Sequence, residues 1–226
     1  MALHIISVGG SLIVPQGIDS GFLQRFKEFV LARIEQGDRF VLVAGRGRTA
    51  RTYQDAALAI RAIDDEEKDW LGIHATRLNA HLLRTVFKEQ AHPRVIKDYD
   101  DDLEEVTKPV LVGAGWKPGW STDYCCTLLA EYYDADSVIN LSNIEYVYSS
   151  DPKTDPEAKR FEKVSWKDFR KIVGSSWRPG MSAPFDPIAS KKAEASSLKV
   201  VILSGDDLAN LGPYLNNESF RGTIIS

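Results

Sequence analysis

Two glycine-rich turns in the first quarter of the chain have the composition of phosphate-binding loops. Residues 7–11 (Ser-Val-Gly-Gly-Ser) end an apolar run, and residues 44–51 (Ala-Gly-Arg-Gly-Arg-Thr-Ala-Arg) end a second one and add three arginines. Glycine lets backbone N–H groups approach an anion closely, and a guanidinium offers phosphate oxygens a planar fork of donors. Read alone, the first could be a plain turn and the second a solvated basic loop. Their position between strand and helix favours phosphate binding.

A third segment, residues 116–123 (Trp-Lys-Pro-Gly-Trp-Ser-Thr-Asp), joins a proline–glycine turn to a helical stretch. Its hydroxyls and the N–H groups at the helix start could bind a substrate phosphate, although one hydroxyl could instead cap the helix. The two tryptophans could wall a pocket of base size or cover the core. The segment therefore predicts a second ligand contact, downstream of the glycine turns.

Asp69 lies on a predicted amphipathic helix, on the same face as Ile73 and Thr76. Its carboxylate could accept a hydrogen bond from a ligand hydroxyl, or it could be a cap or dipole partner of the helix N-terminus.

Residues 140–152 follow another strand-like run and carry Asn143, Tyr148 and Asp151. The asparagine and the aspartate could have only local turn roles. The tyrosine ring could stack on an adenine or lie in the core.

The composition is that of a soluble globular protein of 226 residues, with 43% hydrophobic and 27% charged residues. A net charge of −4 argues weakly against nucleic-acid binding. The lack of a long apolar run or a secretory leader predicts no membrane span and a cytoplasmic location. The adjacent cysteines Cys125 and Cys126 fit a reducing compartment, and the histidines show no metal-ligand spacing.

Strand-like and helical runs alternate, which predicts an α/β fold with a mainly parallel sheet. Strands are expected at 3–8, 39–43, 109–112, 137–141 and 199–203, with a hairpin or loop at 146–148 and a last edge strand at 222–225. Helices are expected at 20–35, 49–63, 66–87, 122–133, 166–172 and 187–196. Because ligands bind beyond the carboxyl ends of such strands, the glycine-rich turns should converge on one crevice.

In this order the segments resemble the amino acid kinase superfamily, most closely its archaeal-type uridylate kinases. The resemblance covers essentially the whole chain. The matching motifs are Gly9-Gly10-Ser11; Ala50-Arg51; Asp69 with Gly72-Ile73, Thr76-Arg77 and Asn79; Pro118 to Asp123; Asn143, Val147-Tyr148 and Asp151-Pro152; Phe185-Asp186-Pro187; and Gly222-Thr223-Ile224-Ile225.

The resemblance implies transfer of the γ-phosphoryl group of ATP to UMP, giving UDP and ADP, with Mg²⁺ carried by ATP and no metal ligand from the protein. It also implies a three-layer α/β/α sandwich with a mainly parallel central sheet, as one domain over residues 1–226, assembled as a homohexamer. The UMP side would lie mainly in 1–135. The ATP side would lie mainly in 136–226, with the turns at 7–11 and 44–51.

Site residues follow from the resemblance position by position. ATP-binding roles are implied for Ser7, Val8, Gly9, Gly10, Ser11, Gly47, Arg51, Ser142, Asn143, Tyr148 and Asp151. UMP-binding roles are implied for Gly45, Asp69, Trp116, Lys117, Pro118, Gly119, Trp120, Ser121 and Thr122. The catalytic set that we predict is Arg48, Arg51, Lys117 and Asp123, with Lys117 included as our own hypothesis.

Some positions depart from the family pattern. Arginines replace a lysine in the second turn, and Ser7 stands where many relatives have a lysine in the first strand. We expect Lys117 to supply the missing positive charge. Two other functions stay open: a kinase of the same superfamily with another small phosphate or acid as acceptor, and a non-catalytic binder of ATP and oxyanions like the molybdenum-storage subunits.

Overall fold

The computed structural model describes residues 2–100, 103, 107–176, 181 and 183–226. In this part of the chain eight strands form one sheet. In sheet order they are β3 (Ala91–Ile96), β4 (Val110–Gly113), β2 (Arg39–Ala44), β1 (Leu3–Val8), β5 (Ser137–Ser142), β9 (Lys199–Ser204), β10 (Thr223–Ile225) and β8 (Lys163–Val164). Neighbours are parallel except β9 and β10, which are antiparallel. Two short strands, β6 (Val147–Tyr148) and β7 (Arg160–Phe161), form a separate antiparallel ribbon.

Helices cover both faces of the sheet. They are α1 (Gly10–Ile13), α2 (Ser20–Glu35), α3 (Gly47–Ile60), α4 (Asp65–Val86), α5 (Thr122–Tyr132), α6 (Trp166–Val173), α7 (Pro187–Ala195) and α8 (Leu211–Leu215). One core layer lies under α1, α2, α4 and α8, and the other lies under α5, α6 and α7. The predicted three-layer α/β/α sandwich is therefore confirmed. None of the helices among the described residues has the length and apolarity needed to cross a membrane.

Helix α2 illustrates how local sequence sets an element. The Asp19 side chain accepts a hydrogen bond from the Phe22 backbone N–H at 2.8 Å and so caps the first turn. Phe22, Phe26 and Val30 recur at helical spacing and are buried against the sheet. Beyond the helix, Gly37 adopts a φ of 95°, a conformation that glycine reaches without steric cost. The helix predicted at 20–35 is confirmed.

The sheet differs from the prediction at its edges. β3 was not predicted because it contains Pro93 and charged residues, but an edge strand can tolerate a missing backbone N–H. β10 was predicted as an edge strand and is not one, since it lies between β9 and β8. The reason is that the short β8 segment pairs with its outer side.

Strand order determines where a ligand can bind. β1 lies at the centre of the sheet, between β2 on one side and β5 on the other. Its last residue, Val8, is in register with Ala44 of β2 and Leu141 of β5. The loops that follow these strands, and the one after β4, therefore open at one edge of the sheet. This is the position at which α/β sheets bind ligands.

Candidate active site

The two glycine-rich turns pack directly against each other. The backbone N–H of Gly45 donates to Val8 O at 2.9 Å, and that of Gly9 donates to Leu141 O at 2.8 Å. A Cβ atom on Gly10 would lie 2.7 Å from the backbone nitrogen of Arg46 and closer still to that of Gly47. Gly47 itself has a φ of 60°. Only glycines allow this close backbone approach, which brings together the backbone nitrogens of Gly10, Arg46 and Gly47. The N–H groups of Gly9 and Gly45 are used in hydrogen bonds to the neighbouring strands.

Helix α4 holds the loop after β4 in place through side chains on one face. Thr76 Oγ1 accepts the Gly115 backbone N–H at 2.7 Å and donates to Ile73 O at 2.6 Å. Arg77 donates to the backbone oxygens of Gly115 and Trp116 at 3.3 and 2.9 Å. The loop geometry therefore depends on buried polar groups of α4.

Replacing Thr76 with valine should loosen this loop. Valine keeps the shape but leaves the Gly115 N–H unpaired in a buried position, which costs about 1–3 kcal/mol. We expect the free energy of unfolding, measured with urea, to fall by that amount. Thr85→Val is the matched control, since Thr85 is an exposed residue of the same helix whose hydroxyl donates to His81 O at 2.8 Å. Equal losses in both variants would show that Thr76 has no special role.

Asp69 connects α4 to the tip of the same loop. Its Oδ2 accepts the Gly119 N–H at 2.7 Å, and the residue is 7% exposed. The helix is capped by Asp64, whose side chain accepts from Glu67 N, so Asp69 is not the cap. Burial raises the pKa of Asp69, while the Gly119 hydrogen bond and Arg46 oppose the rise. Since Oδ1 has no recorded partner among the described residues, it is available for a ligand hydroxyl.

Asp123 bridges three elements at the start of α5. Its Oδ1 accepts from Ser7 Oγ of β1 at 3.4 Å, and its Oδ2 accepts from the backbone N–H of Asp186 at 3.1 Å. The Asp186 carboxylate in turn caps α7 by accepting from two backbone N–H groups. Burial raises the pKa of Asp123 to about 7, and the negative charge of Asp186 adds to the rise. Asp123 therefore changes charge near neutral pH.

The two hydroxyls that precede Asp123 have different roles. Ser121 Oγ accepts the Tyr124 N–H at 3.1 Å and is the N-cap of α5. Thr122 follows as the first helical residue, where its side chain and the free helix N–H groups are suited to an anion. Ser121 therefore has the predicted capping role, and Thr122 is left for the predicted contact with a substrate phosphate.

These groups surround a cleft of about 160 Å³. Its walls are formed by Arg46, Asp69, Gly72, Ile73, Thr76, Gly115, Trp120, Ser121, Thr122, Asp123, Met181, Ala183 and Asp186. The predicted site residues among them are Asp69, Trp120, Ser121, Thr122 and Asp123. Arg46 was predicted to contact phosphate only as one of the three arginines of the second glycine turn. Asp186 was not predicted as a site residue, although the Phe185-Asp186-Pro187 motif contains it.

The other predicted site residues lie outside these walls. They are Ser7, Val8, Gly9, Gly10, Ser11, Gly45, Gly47, Arg48, Arg51, Trp116, Lys117, Pro118, Gly119, Ser142, Asn143, Tyr148 and Asp151. The first seven form or adjoin the packed glycine turns. Ser142 is the last residue of β5, Asn143 follows it, and Tyr148 lies on the ribbon strand β6. Asp151 lies in the loop between the two ribbon strands, where its Oδ1 accepts the Lys153 N–H at 2.9 Å.

The predicted cations have distinct surroundings. Arg48 and Arg51 are exposed on α3. The Lys117 ammonium lies 3.7 Å from the ring centroid of Trp116 and 4.5 Å from that of Trp120. Both rings attract a cation through their faces. Lys117 is thus held at the aromatic part of the loop.

Comparisons with known proteins agree with this geometry. The sequence profile described as "Amino acid kinase family" matches residues 3–204. Uridylate kinase from Pyrococcus abyssi is 34% identical to the chain over 98% of each protein. Uridylate kinase from Methanospirillum hungatei is 36% identical over 100% of this chain and 95% of the relative.

A solved structure shows the same likeness in three dimensions. The crystal structure of uridylate kinase from Archaeoglobus fulgidus superimposes with a TM-score of 0.81 at 30% identity, covering 100% of both chains. The resemblance predicted from the motifs is confirmed. The chain therefore belongs to the amino acid kinase family, and within it is similar along its full length to the archaeal uridylate kinases.

Proposed function

We propose that this protein is a UMP kinase, which transfers the γ-phosphoryl group of ATP to UMP and releases UDP and ADP. The observation that carries the proposal is the cleft between the packed glycine turns and the start of α5. There, Asp69 offers a free carboxylate oxygen to a sugar hydroxyl, and Thr122 offers a helix start to a phosphate. The full-length similarity to uridylate kinases supports UMP as the acceptor.

Phosphoryl transfer asks little covalent chemistry of a protein. It needs the two nucleotides held in line and the charge on the moving group neutralised. The glycine turns would hold the phosphates of ATP through their N–H groups, with the nucleoside near Ser142, Asn143, Tyr148 and Asp151. Because the attacking atom is an oxygen of the UMP phosphate, neither Cys125 nor Cys126 is required as a nucleophile. Burial raises the pKa of the Cys125 thiol to about 12, which also disfavours such a role.

The residues at the cleft fit magnesium delivered by ATP. Mg²⁺ binds one or two carboxylates together with substrate phosphates and keeps several waters. Asp123 and Asp186 are two adjacent carboxylates in the cleft, beside the end of β1. They would hold the ion, in contrast to the expectation that the protein contributes no metal ligand. When bound, the ion supplies charge neutralisation on the phosphates. The protein would position those phosphates through its backbone N–H groups.

The experiment that tests the proposal measures ADP formation from ATP and Mg²⁺ with UMP, CMP, dUMP, AMP and GMP offered separately. Turnover with UMP well above the others is the expected result. Turnover only with another acceptor would favour a different kinase of the family. ATP binding without turnover would favour a storage-like binder.

Replacing Asp69 with asparagine should weaken acceptor binding selectively. Asparagine can still accept the Gly119 N–H, so the loop is retained, but it loses the charge that strengthens a hydrogen bond from a sugar hydroxyl. Such a bond contributes about 1.5–3 kcal/mol, so KM for UMP should rise about 10- to 100-fold. KM for ATP should change little. Similar rises in both KM values would contradict a specific acceptor role.

We also propose that the protein is cytoplasmic and forms a homo-oligomer, a hexamer by family resemblance. Large apolar side chains on α3 and α4 support assembly: Tyr53 is 61% exposed, Ile60 86% and Trp70 39%. Such surfaces are often interfaces.

A further inference from the structure

The side chain of Arg46 enters the cleft, whereas those of Arg48 and Arg51 do not line it. Arg46 immediately precedes α3, with helical backbone angles (φ −77°, ψ −30°), and Gly47 follows at a φ of 60°. The chain turns sharply here and then continues as a helix. Although the three arginines are close in sequence, this turn separates one of them from the other two.

The backbone of Arg46 is fixed by α4. Asn79 Nδ2 donates to Gly45 O at 2.8 Å and to Arg46 O at 3.3 Å. The side chain then runs over Gly72 of α4, where a Cβ atom would lie 3.6 Å from both Cδ and Nη1 of Arg46. The guanidinium is therefore placed beside the helix that carries Asp69.

The positively charged guanidinium of Arg46 interacts electrostatically with the Asp69 carboxylate. Among the described residues, however, its N–H groups form no hydrogen bond or ion pair. The other charged groups lining the cleft are the carboxylates Asp69, Asp123 and Asp186, so Arg46 is the sole cation among the described wall residues. Burial lowers the pKa of Arg46, and the charge of Asp69 opposes this. Partly buried donors of this kind normally have acceptors.

We propose that Arg46 binds the phosphate group of the acceptor nucleotide. The inference rests on the proposed function, which supplies the acceptor. A guanidinium presents two parallel N–H groups to phosphate oxygens, a stronger and more directional contact than a lysine ammonium makes. Its position along α4, next to Gly72 and Asp69, assigns it to the acceptor rather than to the nucleoside of ATP. Arg46 thus supplies the positive charge that the sequence analysis expected from Lys117.

The test compares the binding of UMP and uridine by calorimetry, without ATP. Wild-type protein should bind UMP more tightly than uridine because of the phosphate contact. In Arg46→Gln the affinity for UMP should fall about 100-fold, as expected for a lost charge-assisted pair, while the affinity for uridine stays the same. Arg46→Lys should recover part of the difference. Arg61→Gln is the charge-matched control, since Arg61 is exposed at the other end of α3.

The outcomes separate this inference from the proposed function. If Arg46→Gln keeps the wild-type ratio of UMP to uridine affinity, the inference is overturned even when the wild type phosphorylates UMP. If the wild type does not phosphorylate UMP but the ratio still depends on Arg46, the anion site stands and the proposed reaction fails. A thermal melt of each variant shows that it is folded. A lysine variant no better than the glutamine one would overturn the role of charge.

Discussion

Gly10→Ala should abolish most of the proposed kinase activity while leaving the central sheet in place. The added Cβ would lie 2.7 Å from the Arg46 backbone nitrogen and closer to that of Gly47, and neither backbone can move away without separating the two turns. Overpacking of this kind costs about 1–3 kcal/mol. Because the turns carry the N–H groups proposed for the ATP phosphates, we expect kcat/KM for ATP to fall at least about 100-fold.

Gly17→Ala is the control for this variant. Gly17 lies in the same part of the chain, and a Cβ there would meet nothing within 4 Å. Its kinetics and urea midpoint should match those of the wild type. If Gly10→Ala also had wild-type kinetics, the packed turns would not be the phosphate site.

Asp123→Asn should have the second large effect, on both rate and pH dependence. The ionised carboxylate, held between β1 and α7, would attract the divalent cation proposed to arrive with ATP, and an amide would not. We expect kcat to fall about 100-fold. In the wild type, kcat/KM for ATP should rise through a pH of about 7, because burial raises the Asp123 pKa to about 7. The variant should lack this rise.

The ionisation of Asp123 should also make the free energy of unfolding depend on pH, in the direction opposite to that of kcat/KM. The carboxyl titrates at about 7 in the folded protein and at its ordinary value of 3.8 when unfolded, so between these values the folded state binds more protons. The contribution of Asp123 to the free energy of unfolding therefore falls as the pH rises through this window. Asp123→Asn should gain stability relative to the wild type between about pH 4 and pH 7.

Asp136→Asn is the matched control for these measurements. Asp136 is exposed just before β5, at the opposite edge of the sheet. The Asp136→Asn substitution removes one carboxylate at a position that does not line the cleft. A pH profile of Asp123→Asn that coincides with the wild-type profile, in rate and in stability, would contradict the assignment.

Most of the fold is predictable because the main elements carry strong local signals. β1 and β2 are apolar runs that the sheet buries on both faces, a pattern typical of parallel strands. β3 was not predictable from its own residues, since Pro93 and its charged neighbours resemble a loop. Its pairing with β4 depends on contacts between segments distant in sequence. The interior position of β10 was not predictable either, because it depends on pairing with β8, a strand of only two residues.

The site was predictable in part for the same physical reason. Asp69 and Asp123 were identifiable because each belongs to a motif of fixed spacing. The sequence does not indicate which of the three arginines enters the cleft. A single residue of positive φ, Gly47, sets the directions of the side chains around it. The link between Asp123 and Asp186 joins two helices separated by 63 positions, a distance at which sequence spacing carries no geometric information.

The central proposal is most directly tested by following ATP, Mg²⁺ and UMP by ³¹P NMR in the presence of the protein. Transfer to UMP predicts that the signals of ATP are replaced by those of ADP and UDP in equal amounts, with no inorganic phosphate. Formation of inorganic phosphate and ADP alone, or unchanged signals in a sample shown to bind ATP, would contradict it.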